Sequence, residues 1–248
     1  MKVQKAANQV ERNLNKAYMK SYYRPDGTRC EFLTAKRGNS TYARRSNKQL
    51  LAYEQDLLQG TIAFSILFLT VVVPCNKTYK GCYESWEAVS KAVGPFIKAL
   101  KRMGLQKFIA ILEATAGGNS HIHVLARWDR TLKTCKRRGK YHLAEQDLRK
   151  AIQERWATEW VKVSERKLNN HPVCIRVCPN LPEARKVFGY VTKHLGWGSL
   201  VCDALRRVRN GEANHFDSEK LFSNYWASKL RVRLCRTSRG LGKTGAFI

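Results

Sequence analysis

Glutamate and histidine side chains that share one face of a β-hairpin can converge on a metal ion, and one stretch of this chain offers three of them. Residues 110–128 read AILEATAGGNSHIHVLARW, two apolar runs joined by a Gly-Gly turn. Side chains on a strand alternate faces, so His121 and His123 project to one side while Ile122, Val124 and Ala126 project to the other. If Thr115 pairs with Asn119 around Ala116-Gly117-Gly118, Glu113 falls opposite His121 on the same face. The glycines tolerate the positive φ that so tight a reversal needs. Two imidazoles and a carboxylate form a mixed nitrogen and oxygen set suited to a divalent ion such as Mn²⁺, Mg²⁺, Zn²⁺ or Fe²⁺, with positions left for water or substrate. The competing reading is a chance H-x-H on an exposed sheet face.

A second group lies downstream. Ala184, Val187, Phe188, Val191 and Leu195 predict a helix over 183–195, stopped by Gly196. On it Tyr190 and Lys193 are three residues apart and so neighbours on one face, beside Lys186 and His194. A tyrosine at the border of an apolar stripe usefully packs its ring and wets its hydroxyl. Next to a metal and a basic groove, the same hydroxyl is a candidate nucleophile.

The elements that must position these groups follow from periodicity. Residues 61–73 read as a strand, and 85–103 as a helix with Trp86, Val89, Val93, Phe96, Ile97 and Leu100 on one stripe, which Gly94-Pro95 is expected to kink or split. The hairpin of 107–128 comes next, then a basic loop, KTCKRRGK at 133–140, and a helix over 143–164 marked by Ile152, Trp156 and Trp160. Asn169-Asn170-His171-Pro172 breaks the chain before a short strand, 173–178. Residues 197–223 carry no readable pattern. Over 225–235, Lys229, Arg231 and Arg233 alternate with Leu230, Val232 and Leu234, as on a half-buried strand. This order of elements predicts an α+β fold, a central antiparallel or mixed sheet with helices mainly on one face, related to the split βαβ or ferredoxin-like plan.

Composition sets the partner class. The 248 residues carry 46 Lys and Arg against 19 Asp and Glu, a net charge of +27, with 44% apolar and 10% aromatic residues. The apolar share is that of a globular chain and the charge points to nucleic acid. No run approaches the roughly 18 apolar residues of a membrane span, and Met1 is followed by polar and charged residues, so a cytosolic protein without a secretory signal is expected. The eight cysteines include no C-x-x-C pair and are expected as free thiols, with Cys174 and Cys178 as packing residues on their strand. The expected organisation is a basic arm over 1–60, helical only at 49–58, a catalytic domain over 61–236 and a basic Gly-rich tail over 237–248.

The apolar strand ending in VVVP, the His121-Ile122-His123 triplet and the downstream YVTK of 190–193 together resemble, over residues 61–236, the three ordered motifs of rolling-circle replication initiators. These are the Rep proteins of the HUH endonuclease superfamily. In that family the middle motif is His-hydrophobic-His and the third is Tyr-x-x-Lys or similar, and an acidic residue on the preceding strand, here Glu113, commonly completes the metal site. Relaxases of the superfamily place the tyrosine before the histidines, so the order here fits a replication initiator or a single-tyrosine transposase. Two-tyrosine members carry a second tyrosine one helical turn away, where this chain has Lys186 and His194. The resemblance therefore implies a single-nucleophile enzyme, encoded by a plasmid or a virus.

It further implies a divalent ion, Mn²⁺ or Mg²⁺, on Glu113, His121 and His123, and a Tyr190 attack on single-stranded origin DNA. The attack leaves a 5′-phosphotyrosyl link and a free 3′-hydroxyl, with Lys193 stabilising charge on the phosphate or the phenolate. Lys136, Arg137, Arg138, Arg231 and Arg233 are candidate DNA-backbone contacts. Gly240-Leu241-Gly242-Lys243-Thr244 matches part of a phosphate-binding loop, but Thr237 stands where the full motif has glycine, so no ATPase is expected and host helicase and polymerase are the implied partners. A lone nucleophile implies a second protomer for closing the circle. The alternatives are a single-tyrosine transposase and a non-enzymatic basic nucleic-acid-binding protein.

Overall fold

The computed structural model describes residues 3–14, 18–23, 29–34, 40–74, 78–168, 172–193, 197–238 and 241. In chain order the elements begin with α1 (Val3–Leu14), the hairpin of β1 (Tyr18–Tyr23) and β2 (Arg29–Thr34), α2 (Ser40–Leu58), β3 (Ile66–Val72) and α3 (Tyr79–Arg102). There follow β4 (Leu105–Ala114), β5 (Ser120–Trp128), β6 (Thr134–Arg137), β7 (Lys140–Leu143), α4 (Gln146–Val161) and β8 (Val173–Cys178). The chain continues through α5 (Leu181–Thr192), α6 (Trp197–Arg209), α7 (His215–Leu230) and β9 (Cys235–Thr237).

Among the described residues the main sheet has seven strands in the order β6-β7-β8-β3-β5-β4-β9, every pair antiparallel. Its middle four come from two interleaved units. Helix α3 carries the chain from β3 to β4 and α4 carries it from β5 to β8, each crossover skipping one strand, which is the split βαβ plan. The α+β architecture on a central antiparallel sheet is thus the one the sequence implies.

Two faces follow from the register. One carries Glu113, His121, His123, Thr70, Phe68 and Arg176, which stand opposite one another across four strands. The other carries Ile122, Val124, Leu67, Leu69 and Ala110, all buried, and takes α3 and α4. Arg236, paired with Ala110, reaches through that layer to donate to the Ser90 carbonyl of α3 at 3.2 Å. Helices α5 and α2 cover part of the first face: Tyr190 of α5 meets Phe68, and Arg127 donates to the backbone carbonyls of Leu57 and Gln59 at the end of α2. On that face Ile66, Ile109, Ile111 and Leu125 are buried, while Thr70, Val72, Cys174 and Arg176 keep some exposure.

Local chemistry explains most boundaries. Thr78 Oγ1 accepts from the Gly81 amide at 3.1 Å and starts α3, several residues earlier than periodicity indicates. That helix runs through Gly94-Pro95 uninterrupted. Val93, Phe96 and Ile97 are buried around the proline, and their burial outweighs the roughly 3 kcal/mol that a helical proline costs. The 133–140 loop is instead the β6–β7 hairpin, turning at Arg138 and Gly139, both with positive φ as a two-residue hairpin turn requires.

The expected strand over 225–235 is corrected to the end of α7, an αL cap at Arg231 and the short β9. Leu221, Phe222, Tyr225 and Trp226 are buried at helical spacing, and an Asn214–Asp217 capping box starts the helix, so tertiary burial overrides the alternation that follows. The first sixty residues hold more structure than the single helix read at 49–58. Helix α1 docks on α7 and α6 through Ala6, Ala7 and Val10. The turn YYRPDGT falls largely outside the described residues, as do Asn169–His171, His194 and most of the Gly-rich tail. No helix among the described residues is long and apolar enough to cross a membrane.

Candidate metal and nucleophile site

The β4–β5 hairpin turns as its glycines suggest: the Thr115 amide donates to the Asn119 carbonyl at 2.7 Å and the Gly118 amide to the Thr115 carbonyl at 2.8 Å. Gly118 has φ of 88°, which only glycine adopts cheaply. Glu113 therefore pairs with His121. Two helices clamp this turn. From α3, Trp86 Nε1 donates to the Gly118 carbonyl at 3.0 Å and Ser85 Oγ lies 2.7 Å from Ser120 Oγ. From α7, Ser223 Oγ accepts from the Ala114 amide at 2.8 Å.

The three side chains converge. Glu113 Oε2 is 3.5 Å from the Nε2 atoms of both His121 and His123, and these two nitrogens are 3.0 Å apart. Glu113 and His123 are buried, and His121 is half-buried. Bonds of about 2.1 Å to one ion put neighbouring donors about 3.0 to 3.4 Å apart, so this spacing fits a first-row divalent cation. The donor set fits too, since imidazole and carboxylate suit Mn²⁺, Fe²⁺ or Zn²⁺ and a three-donor site leaves positions for other oxygens. Among the described residues this is the one cluster of metal-binding type. His123 is oriented from behind, with Nδ1 3.2 Å from Thr70 Oγ1, the kind of outer contact that fixes an imidazole tautomer.

Helix α5 delivers the second group to the same place. Asn180 caps it, its side chain accepting from the Glu183 amide at 3.0 Å, and Pro182 sits in the first turn. Ala184, Phe188 and Val191 face the core, which leaves Tyr190 on the border, 47% exposed. Its ring centroid is 5.5 Å from that of His123. Lys193 Nζ lies 4.0 Å over the Tyr190 ring centroid and 3.9 Å from Glu113 Oε2, so one cation bridges nucleophile candidate and ligand candidate. No family model matches the chain, and comparison with curated proteins and with solved structures finds no similar protein.

The candidate DNA contacts separate into two groups. Lys136, Arg137 and Arg138 are exposed on the β6–β7 hairpin, while Arg231 and Arg233 are exposed between α7 and β9, at the opposite edge of the sheet. Beside Tyr190 a cleft of about 810 Å³ opens between α5 and the β7–β8 side of the sheet, reaching Lys140 and Tyr141 of the β6–β7 hairpin but none of the first group. Cys82, Cys135, Cys174, Cys178, Cys202 and Cys235 form no disulfide. Cys178 is buried at the cleft floor, and burial pushes its thiol up to about 12, so it packs rather than reacts; Cys174 is exposed instead of packed.

Three groups near the site escape sequence reading. Thr70 was legible in principle, since it shares strand parity with Phe68 beside the histidine strand. Glu219 lies on α7 in the stretch with no readable pattern. Burial raises its carboxyl above the ordinary range, and it feels the charges of Lys193 and Glu113. Arg176 lies opposite Phe68 in the register and lines the cleft.

Proposed function

We propose that the protein is a metal-assisted, single-tyrosine DNA strand transferase that initiates rolling-circle replication by nicking and rejoining single-stranded origin DNA. One observation carries this reading: Glu113, His121 and His123 of one hairpin and Tyr190 and Lys193 of a helix far along the chain meet at one partly open spot on a strongly basic protein.

Glu113, His121 and His123 would hold a divalent cation, which when bound supplies Lewis-acid polarisation of a phosphodiester oxygen. Tyr190 supplies the nucleophile, and its exposed position leaves it open to a DNA strand. The phenolic oxygen forms a bond to phosphorus while the bond from phosphorus to the 3′-oxygen breaks, the phenol proton being lost to solvent and the departing oxygen gaining one. The product is a 5′-phosphotyrosyl link with a free 3′-hydroxyl, and one phosphodiester replaces another, so rejoining needs no nucleotide hydrolysis. Lys193 places positive charge against the Tyr190 ring, where it would offset negative charge on the phosphate undergoing attack. Thr70 holds the His123 ring in place.

The test is incubation with a labelled pool of single-stranded oligonucleotides and Mn²⁺ or Mg²⁺, followed by denaturing electrophoresis. A covalent protein–DNA adduct is expected with the natural chain and none with Tyr190→Phe. An adduct that survives Tyr190→Phe, or one that forms in excess EDTA, would contradict the assignment.

A further inference from the structure

We propose that the cleft beside Tyr190 is a seat for the nucleotide flanking the cleaved phosphodiester, with Arg176 as its phosphate-binding residue and Lys186 and Lys140 as outer cations. The inference rests on the reading of the ligand as single-stranded DNA and adds to it the place where the strand lies.

The cleft encloses about 810 Å³ and reaches from His123 and Tyr190 across Phe68 and Arg176 to Tyr141 on the β6–β7 hairpin. That volume is in the range of small-molecule sites, roughly 300 to 1,000 Å³, and suits one or two nucleotides rather than a duplex. Arg176 lies half-buried on the sheet, its Nε shielded from solvent without a hydrogen-bond partner, and no carboxylate pairs with it among the described residues. A guanidinium held partly out of water with no counter-ion gains from a ligand that supplies one, and its fork matches the oxygens of a phosphate. Lys140 and Lys186 stand exposed at the rim. One carboxylate, Glu183, also lines the cleft, so three cations face one anion. Tyr141 sits edge-on to Phe64, 5.2 Å between centroids, and offers its ring as apolar surface for a base. A strand seated here runs directly past Tyr190, which lines the same cleft.

The experiment measures binding of the full chain to a labelled single-stranded oligonucleotide of mixed sequence, on the order of 16 nucleotides, in EDTA so that no cleavage occurs. Salt is varied from about 50 to 200 mM. Arg176→Gln is expected to weaken binding about tenfold and to flatten the dependence of log affinity on log salt by about 0.7. Arg176→Lys should keep the slope, and Glu183→Gln should tighten binding. Lys186→Gln, at an exposed position, should flatten the slope on its own and covers the case in which Arg176→Gln does not fold. Natural affinity and slope in both charge-removing variants would overturn the proposal, as would duplex DNA or polyglutamate competing as well as the single strand. The two readings fail separately. Cleft-dependent binding with no adduct in any metal would leave a single-strand seat beside Tyr190 standing and remove the nicking activity. An adduct formed by variants that bind like the natural chain would do the reverse.

Discussion

The two ends of the sheet face that carries the histidines are built in opposite ways. At the β4–β5 turn, Glu113, His121 and His123 sit on inner strands, and both α3 and α7 hydrogen-bond into the turn through Trp86, Ser85 and Ser223. At the far side the β6–β7 hairpin joins β8 through the single pairing of His142 with Arg176, and Lys136, Arg137 and Arg138 are exposed. A metal site demands donor positions held to a fraction of an ångström, and only packed, doubly supported strands give that. Phosphate contacts demand reach and charge, which an edge hairpin gives without burying any of it.

The contrast can be broken by substitution. The largest effect is expected from Tyr190→Phe, which should lower adduct formation by at least about a thousandfold while leaving the melting temperature of the half-exposed helix position nearly unchanged; a residual adduct near the natural rate would place the nucleophile elsewhere. Next is the metal. Mn²⁺ at about a hundred times its Kd should stabilise the natural chain by about 2.7 kcal/mol, read as an upward shift in thermal unfolding, and His121→Ala should abolish the shift. An equal shift in the variant would show that Mn²⁺ binds at some other place.

Trp86→Phe removes the donor to the Gly118 carbonyl within the buried clamp. It should cost about 1 to 3 kcal/mol of stability and weaken Mn²⁺ binding, whereas Arg137→Ala should change stability by less than about 0.5 kcal/mol and lower only DNA affinity. Equal stability losses in the two variants would erase the distinction between the regions. The smallest effect concerns acid. Arg207 hydrogen-bonds Asp217 and holds its carboxyl below the usual range. A folded-state value below the unfolded one contributes stability that is present at neutral pH and is lost as pH falls below about 4 toward the folded value. Asp217→Asn should therefore flatten the acid limb of a stability–pH curve, and an unchanged limb would mean the ion pair contributes nothing.

The same contrast explains what could be read from the sequence. The hairpin was legible down to its register because period-two alternation, a Gly-Gly turn and the Thr115–Asn119 pairing leave one alignment that keeps Ile122 and Val124 inside. Helix α5 and the approach of Tyr190 were legible as periodicity, though its distance from His123 was not. Helix α7 was not read, because Lys229 to Leu234 alternate like a strand while the buried residues that decide the matter, Leu221 through Trp226, lie just upstream. Helix α1 was hidden by composition, since its core side is Ala6, Ala7 and Val10, with Val3 partly buried, amid polar residues. Arg176 could not be singled out among 46 basic residues, because an arginine without a counter-ion is a property of its surroundings.

Strand β9 has a further consequence. It is three residues long, yet it occupies the outer edge of β4 opposite Ile109, Ala110 and Ile111, with the Leu112 amide donating to the Leu234 carbonyl and Ser238 exchanging hydrogen bonds with Phe108. Stripped of it, the strand that carries Glu113 would offer a row of unpaired amides flanked by fully buried aliphatic side chains, the surface on which identical chains stack into aggregates. This last short segment thus acts as a guard on solubility, and a chain shortened to end before Leu234 should scatter light and sediment as large particles where the whole chain does not.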